Sequence, residues 1–209
     1  MKRYSAISIA LLLMLIVSYG EAASVREVSI DEMLQKSQLV FEGTAVAFEV
    51  RENAQKRIHT YVSFEIRDII KGEYPSNTIK LRFLGGTMGN VTMTVSDMRL
   101  PQKGEHGIYF VESLERSQVN PLYGWSQGHF VVEHDPTGNE RVMTNNRLAV
   151  TGVTENSADA QMTPAKQGMQ ALSRGIARDI IVGQEKKGNI SMTVDEFKRV
   201  LHKRLERIQ

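Results

Sequence analysis

Two neighbouring stretches near the middle of the chain alternate between apolar and polar side chains. In residues 58–66 every second side chain is apolar or a threonine, and residues 78–83 repeat this alternation. A period of two is typical of a half-buried β-strand. Residues 71–77, which lie between the two stretches, are rich in turn-forming types, so the pattern predicts a β-hairpin.

Turn-forming residues divide the rest of the chain into further short strand-like segments. We predict strands over residues 39–50, 91–95, 107–111, 129–133, 140–144 and 148–153. Many short strands with few helices indicate a mainly β fold, here an antiparallel OB-like barrel that is closed or partly open. Its core is expected to contain Val62, Phe64, Ile66, Ile79, Leu81, Phe83, Ile108 and Phe110. Gly43 interrupts the first strand, which predicts a bulge or a close backbone approach there.

Capping signals predict two helices that flank the barrel. Ser29 is followed three residues later by Glu32, which is the spacing of a capping box. Thr193 and Glu196 repeat that spacing at the start of a helix over residues 193–209, whose apolar residues form one stripe. We therefore expect a short N-terminal helix and a C-terminal amphipathic helix.

The domain organisation follows from shifts in composition along the chain. Residues 23–153 are predicted to form the OB-like β-barrel domain, and residues 154–192 a polar linker. Within the linker, residues 164–182 place apolar side chains at helical spacing, which predicts an additional helix there.

The N-terminus resembles a secretory signal peptide over residues 1–22. Lys2 and Arg3 are basic, residues 7–17 are apolar, and small residues precede a cleavage site after Ala22. The alternative is an uncleaved anchor helix, but the apolar stretch is shorter than the roughly 20 residues that a span requires. We expect an exported protein, either periplasmic or extracellular.

The amino-acid composition limits which partners and which reactive groups the protein can have. The net charge of +2 over 209 residues is too small to indicate a nucleic-acid partner. The chain has no cysteine, although exported proteins have access to disulfides, so burial of apolar surface must hold the fold together. The absence of cysteine also excludes thiol nucleophiles and cysteine metal sites.

Residues 124–128 match G-x-S-x-G, the nucleophile elbow of serine hydrolases, with Ser126 as the serine. The elbow requires a helix directly after the serine, whereas a strand is predicted to begin at His129. The alternative interpretation is a glycine-flanked turn in which Trp125 packs over an open end of the barrel.

Other residues form a candidate binding surface without a catalytic pattern. His59 and Tyr61 lie on the polar face of the second strand, and the remaining candidates are Gly85, Gly86, Gly89, Trp125, Ser126, Gln127 and His129. The glycine loop lacks the lysine of a phosphate-binding loop. The five histidines show no metal-ligand spacing, so we predict no catalytic residue, metal or cofactor.

The basic residues of the C-terminal helix leave two interpretations open. Lys198, Arg199, Lys203, Arg204 and Arg207 lie opposite its apolar stripe. Such a helix can contact an acidic membrane surface. The favoured alternative is a helix docked on the barrel with a solvated charged face.

The segments LVFEGTAVAFEV, IHTYVSFEIRDIIKGE, LRFLGGTMG, GWSQGHFVV and TVDEFKRVL occur in this order along the chain. In this arrangement the chain resembles a family of exported bacterial proteins of unknown function. Its first strands also look like the opening hairpin of netrin-like and tissue-inhibitor-of-metalloprotease modules, which are OB-type barrels. The resemblance implies a binding role or protease inhibition. Those inhibitors act through an N-terminal cysteine that this chain lacks, so no catalytic residue is carried over.

These observations favour an exported, non-enzymatic binding module that recognises a protein or glycan partner. One alternative is an inhibitor or companion of a secreted protease. The other is a serine hydrolase that uses Ser126.

Overall fold

A computed structural model describes residues 25–154, 175–183 and 191–208. The predicted signal peptide, and most of the segment between residues 155 and 190, lie outside the described residues. The strands are β1 (Leu39–Glu52), β2 (Ile58–Lys71), β3 (Thr78–Leu84), β4 (Gly86–Met88), β5 (Val91–Met93), β6 (His106–Val111), β7 (His129–His134), β8 (Glu140–Thr144), β9 (Ala149–Val153) and β10 (Ile180–Gly183). The helices are α1 (Ile30–Lys36), the 3₁₀ helix Trp125–Gly128 and α2 (Val194–Ile208).

The fold is mainly β and is dominated by one antiparallel sheet, as predicted. Its eight strands lie in the order β10-β9-β8-β7-β6-β1-β2-β3, and β4 and β5 form a separate two-stranded hairpin. The β2–β3 register pairs Val62 with Leu81 and Phe64 with Ile79, so the predicted central hairpin is confirmed. Among the described strands the large sheet does not close on itself, and β10 and β3 form its two edges.

Strand β1 bends the sheet. Its pairing with β2 shifts register at three places, one of them between Glu42 and Gly43. A Cβ atom on Gly43 would lie 2.6 Å from the carbonyl oxygen of Glu65, so the close backbone approach predicted there is confirmed. Bulges of this kind increase the local twist of a sheet. Strand β1 lies between β6 and β2 in the sheet and pairs with both.

The sheet buries a separate apolar core on each of its two faces. The first core includes Ile108, Phe110, Phe130 and residues of α1 and α2. The second core includes Phe41, Val62, Phe64, Ile79, Leu81, Phe83, Tyr109 and Val111. The prediction of a single core was therefore wrong for Ile108 and Phe110. All six residues of β6 are buried, so both of its faces are covered and alternate residues enter different cores.

Both predicted helix starts are confirmed by their caps. The Ser29 side chain accepts a hydrogen bond from the backbone N–H of Glu32. At α2, the N–H of Glu196 donates to Thr193 Oγ1 (3.2 Å), and the N–H of Thr193 donates to Glu196 Oε2 (2.8 Å). The α2 cap is a reciprocal capping box, whereas the Glu32 carboxylate at α1 contacts Arg26 and Tyr123. Both caps satisfy backbone donors that the first helical turn leaves without partners.

The prediction of a fully solvated basic face on α2 was wrong at Arg204. Its side chain is only 4% exposed and lies 2.7 Å from carboxylate oxygens of both Asp31 and Asp179. Because Asp179 precedes β10 and Asp31 belongs to α1, this arginine joins three separate segments. No helix among the described residues is long and apolar enough to cross a membrane.

The helix predicted over residues 164–182 falls mostly outside the described residues. Its last part is described and is not helical, because Ile180–Gly183 forms the edge strand β10. Ile180 pairs with Val153 in β9, so the sheet extends beyond the predicted domain boundary at residue 153. A four-residue segment is too short for apolar spacing to distinguish a helix from a strand.

Candidate functional site

The structure divides the predicted binding surface among three places. His59 and the glycine loop lie at the β4–β5 hairpin, and Tyr61 lies on β2 beneath Arg51, whose guanidinium is 5.3 Å from the centre of the tyrosine ring. The 3₁₀ helix and the start of β7 carry the rest, namely Trp125, Ser126, Gln127 and His129.

The glycine loop contributes to packing rather than to an open binding surface. Thr60 Oγ1 donates a hydrogen bond to the carbonyl oxygen of Gly85 (2.7 Å). A Cβ atom on Gly86, whose φ is +132°, would lie 2.2 Å from that same Oγ1. Gly89 remains exposed at the hairpin turn. His59 is only 7% exposed, so its predicted surface position was wrong. Burial lowers the pKa of His59.

Gln127 holds the N-terminal segment of the described chain in place. Its Oε1 accepts a hydrogen bond from the backbone N–H of Val28 (2.9 Å), and its Nε2 donates to the carbonyl oxygen of Arg26 (3.0 Å). The side chain is buried. Gln127 therefore belongs to the interior and not to the binding surface that the sequence predicted.

Ser126 is not arranged as a hydrolase nucleophile. Its hydroxyl donates to the carbonyl oxygen of Asp97 (2.6 Å). Strand β7 begins directly after the 3₁₀ helix, so the strand predicted to follow Ser126 is confirmed. His129 Nε2 lies 2.9 Å from Glu105 Oε1, and its Nδ1 contacts the side-chain amide of Asn145. Neither ring nitrogen is left to act as a base for Ser126.

A buried polar network surrounds His129. Glu105, which immediately precedes β6, lies between His129 and two arginines. Its Oε2 is 2.8 Å from Arg147 Nη2 and 3.3 Å from Arg99 Nη2. Arg99 Nη1 also donates to the carbonyl oxygen of Asn145 (2.6 Å). The network thus ties the start of β6 to the start of β7 and to the β8–β9 turn.

The surroundings keep Glu105 ionised and His129 neutral. Burial would raise the pKa of Glu105, but contacts with His129 and the charges of Arg99 and Arg147 outweigh burial and lower it. Burial lowers the pKa of His129, since its positive form would lose its hydration. The two arginines therefore supply the positive charge that balances Glu105 near neutral pH.

A cavity of about 220 Å³ lies over this network. It is lined by Asp97, Met98, Arg99, Ser126, Asn145, Asn146 and Gly175. These residues come from the β5–β6 loop, the 3₁₀ helix, the β8–β9 turn and the segment before β10. The cavity is mostly polar, with one carboxylate and one guanidinium in its lining.

Backbone strain is concentrated around the cavity. Four described residues other than glycine have a positive φ, and three of them are Asp97 (58°), Trp125 (58°) and Arg147 (61°). Asp97 lines the cavity, and the other two are each adjacent in sequence to a lining residue. Such conformations cost free energy and cluster at functional sites.

Unsatisfied polar atoms are concentrated in the same region. Among the described residues, six buried side-chain atoms have no aligned hydrogen-bond partner. Two of them, Tyr109 Oη and Asn145 Oδ1, lie in this region, and two more, Glu105 Oε1 and His129 Nε2, face each other at 2.9 Å and so serve as each other's partner. The Tyr109 and His129 rings are 4.9 Å apart. Buried atoms of this kind are costly and call for an explanation at each site where they occur.

A second ionisable cluster lies beneath α2. Glu42, His106 and Glu140 each place a potential metal-ligating atom within 4.8 Å of the others. However, Glu42 faces His106 Nε2 (2.9 Å), whereas Glu140 faces Nδ1 of the same ring (3.3 Å). One imidazole nitrogen binds one metal, so the two carboxylates do not converge on a common centre.

Basic side chains already form ion pairs with both carboxylates of this second cluster. Lys198 Nζ lies 2.8 Å from Glu42 Oε2, and Arg67 Nη1 lies 3.0 Å from Glu140 Oε1. Burial would raise the pKa of Glu42, but contacts with His106 and Lys198 outweigh burial and lower it to about 2. The arrangement fits an anchor that holds α2 on the sheet.

Sequence reasoning found part of the cavity region and missed its charged members. Ser126 and His129 were singled out, but Arg99, Glu105, Asn145 and Arg147 were not. These four fall into two pairs, Arg99 with Glu105 and Asn145 with Arg147, which are distant from each other along the chain and follow no motif. The one available signal was the pair of consecutive asparagines before Arg147, which is turn chemistry and does not indicate a site.

No protein family, curated protein or solved structure matches this chain.

Proposed function

We propose that the chain is an exported, non-enzymatic binding module that recognises a protein or glycan partner through the cavity over Glu105 and His129. The observation that carries this proposal is a polar cavity at which residues of positive φ coincide with Asn145, a buried lining residue whose Oδ1 has no hydrogen-bond partner. Folding alone would favour relaxed turns and satisfied polar groups. A bound partner explains why this region retains both costs.

The geometry favours binding over hydrolysis. A serine nucleophile requires a base within hydrogen-bond reach and donors for the oxyanion. Here the Ser126 hydroxyl is directed to the carbonyl oxygen of Asp97, and both nitrogens of His129 face other side chains. The serine hydrolase therefore remains the less supported alternative.

The Ser126→Ala substitution is expected to leave any ester hydrolysis unchanged and to lower the free energy of unfolding by only about 1 kcal/mol, because it removes one hydrogen bond. Trp125→Ala is expected to weaken partner binding, since Trp125 adjoins the cavity. Assays of ester hydrolysis, thermal unfolding and partner capture on both variants test this. An esterase activity that is present in the wild type and lost in Ser126→Ala would contradict the binding-module proposal.

Partner capture tests the proposed function itself. Immobilised wild-type protein is expected to retain a partner from envelope extract or culture fluid, and Arg99→Ala and Asn146→Ala are expected to retain much less. Arg116→Ala removes the same guanidinium group at a side chain that is 70% exposed and outside the cavity, so it serves as the matched control. Partner capture that depends on Arg116 and not on Arg99 or Asn146 would place binding elsewhere.

We also propose that β1, β2, β3 and β6 form a partly open OB-like barrel. The supporting observation is a segment that lies between the edge strand β3 and β6. Leu84 of β3 donates its N–H to the carbonyl oxygen of Val119 (2.8 Å), while Leu122 bridges to Val111 of β6. Leu122 is buried in the core that the four strands enclose. A barrel of this kind also suits the alternative of an inhibitor or companion of a secreted protease.

We propose export through a signal peptide over residues 1–22, which rests on the basic and apolar pattern of the N-terminus. The mature protein is then expected to begin near Ala23. N-terminal sequencing of the exported protein tests this, and retention of Met1 would contradict it.

A further inference from the structure

The cavity over the Glu105 network has a size and a lining that indicate the chemical class of its ligand. Its volume is about 220 Å³. Pockets for drug-sized molecules are roughly 300–1,000 Å³. The cavity therefore suits one ring or one side-chain group that projects from a larger partner.

The lining carries no net charge, because Asp97 and Arg99 are its only ionised residues among those described. An anionic group would meet the carboxylate, and a cationic group would meet the guanidinium. Either ligand would leave one lining charge facing a like charge, which costs binding free energy. A neutral ligand avoids this cost.

The lining also alternates hydrogen-bond donors with acceptors. The Asn146 side-chain amide offers both, Arg99 offers donors only, and Asp97 offers acceptors only. The Asn145 amide is buried and contacts His129. A ligand hydroxyl donates and accepts at once, so a polyhydroxylated ring can satisfy such a mixture. An apolar peptide side chain would cover these groups without pairing them. Polar groups that are buried without partners strongly weaken binding.

A half-buried aromatic residue is adjacent in sequence to this polar lining. Trp125 directly precedes Ser126 and has a positive φ of 58°. Met98 adds apolar surface inside the cavity. An indole combines an apolar face with a polar N–H, and the C–H faces of a sugar ring can pack on such a surface.

We infer that the cavity binds a neutral sugar ring of a glycan. This inference rests on the proposed function and narrows its partner class. Asn146, Arg99 and Asp97 would hydrogen-bond the ring hydroxyls, and Met98 would contact an apolar face of the ring. The Glu105 network beneath holds Arg99 and Asn145 in place.

The chain contains one tryptophan, so its fluorescence reports directly on this region. Mature full-length protein is titrated with maltotriose, cellotriose and the trimer of N-acetylglucosamine, with a sulfated heparin oligosaccharide as the charged comparison. At least one neutral trimer is expected to give a saturable change, and the heparin oligosaccharide none. Asn146→Ala and Arg99→Ala are expected to weaken binding by about tenfold or more, and Arg116→Ala by less than about twofold.

Two results would overturn the inference. One is the absence of a saturable response to any neutral trimer, and the other is equal affinity in the wild type and Asn146→Ala. Asn146 is exposed, so this variant is expected to fold even if Arg99→Ala does not. If no sugar binds but the protein still captures a protein partner through the cavity residues, the proposed function stands and only the sugar inference is wrong. If capture is also independent of the cavity, both fail.

Discussion

Replacing Phe64 with alanine is expected to lower the free energy of unfolding by about 3–5 kcal/mol. Phe64 is fully buried in the second core, with its ring centre 5.6 Å from that of Phe41 and 4.6 Å from that of Tyr109. Truncation removes these contacts and leaves a cavity that strands β1, β2 and β6 cannot easily fill. Denaturant unfolding followed by circular dichroism measures the loss.

Phe48→Ala is the matched control for this prediction. Phe48 lies on the neighbouring strand β1 and is 37% exposed, so its truncation is expected to cost about 1 kcal/mol or less. Equal losses in the two variants would mean that the β2 register is wrong, because a shift of one residue exchanges the buried and exposed faces of a strand.

The Arg204→Met substitution is expected to cost about 3–5 kcal/mol at neutral pH, because it removes one partner of a buried ion pair. The Asp179 side chain is 0% exposed, and Arg204 Nη1 is 2.7 Å from its carboxylate. Asp179 also accepts a hydrogen bond from the N–H of Ile30 (2.9 Å), which orients it at the start of α1. Without Arg204 this carboxylate would be buried and uncompensated.

The loss caused by Arg204→Met is expected to shrink as the pH falls. Burial raises the pKa of Asp179 even in the presence of Arg204, and removal of the arginine would raise it further. An acid whose pKa is higher in the folded state stabilises the fold when it becomes protonated. Unfolding measured from pH 7 down to pH 4 tests this, with Arg207→Met on the exposed side of the same helix as control. A loss that is small, or that does not depend on pH, would contradict the role assigned to Arg204.

Sequence patterns predicted those parts of the fold that depend on interactions between residues close together in the chain. The period of two in β2 and β3 predicted the hairpin and the buried face of each strand, because one face of each strand meets a core. Both helix caps were recognisable because their partners lie three residues apart. The Asp135–Asn139 turn likewise connects β7 and β8, since its side-chain and backbone hydrogen bonds are local.

Features that depend on distant partners were not predictable from the sequence. Strand β6 is buried on both faces because helices cover one face and the bent β1–β2–β3 unit covers the other. Burial of Arg204 depends on Asp179, which lies within the segment that the sequence assigned to a helix. The Glu105 network draws its members from the β5–β6 loop, the β8–β9 turn and the start of β7, and no periodicity relates them.

Site-specific photocrosslinking tests most directly whether the cavity is the binding surface. A photoreactive amino acid replaces Met98, which lines the cavity, or Ser76, which is exposed in the β2–β3 turn. After irradiation of cells that export the protein, the Met98 position is expected to yield a discrete higher-mass adduct that disappears when Arg99→Ala is added. The Ser76 position is expected to yield none. Adducts from Ser76 with none from Met98 would contradict the account.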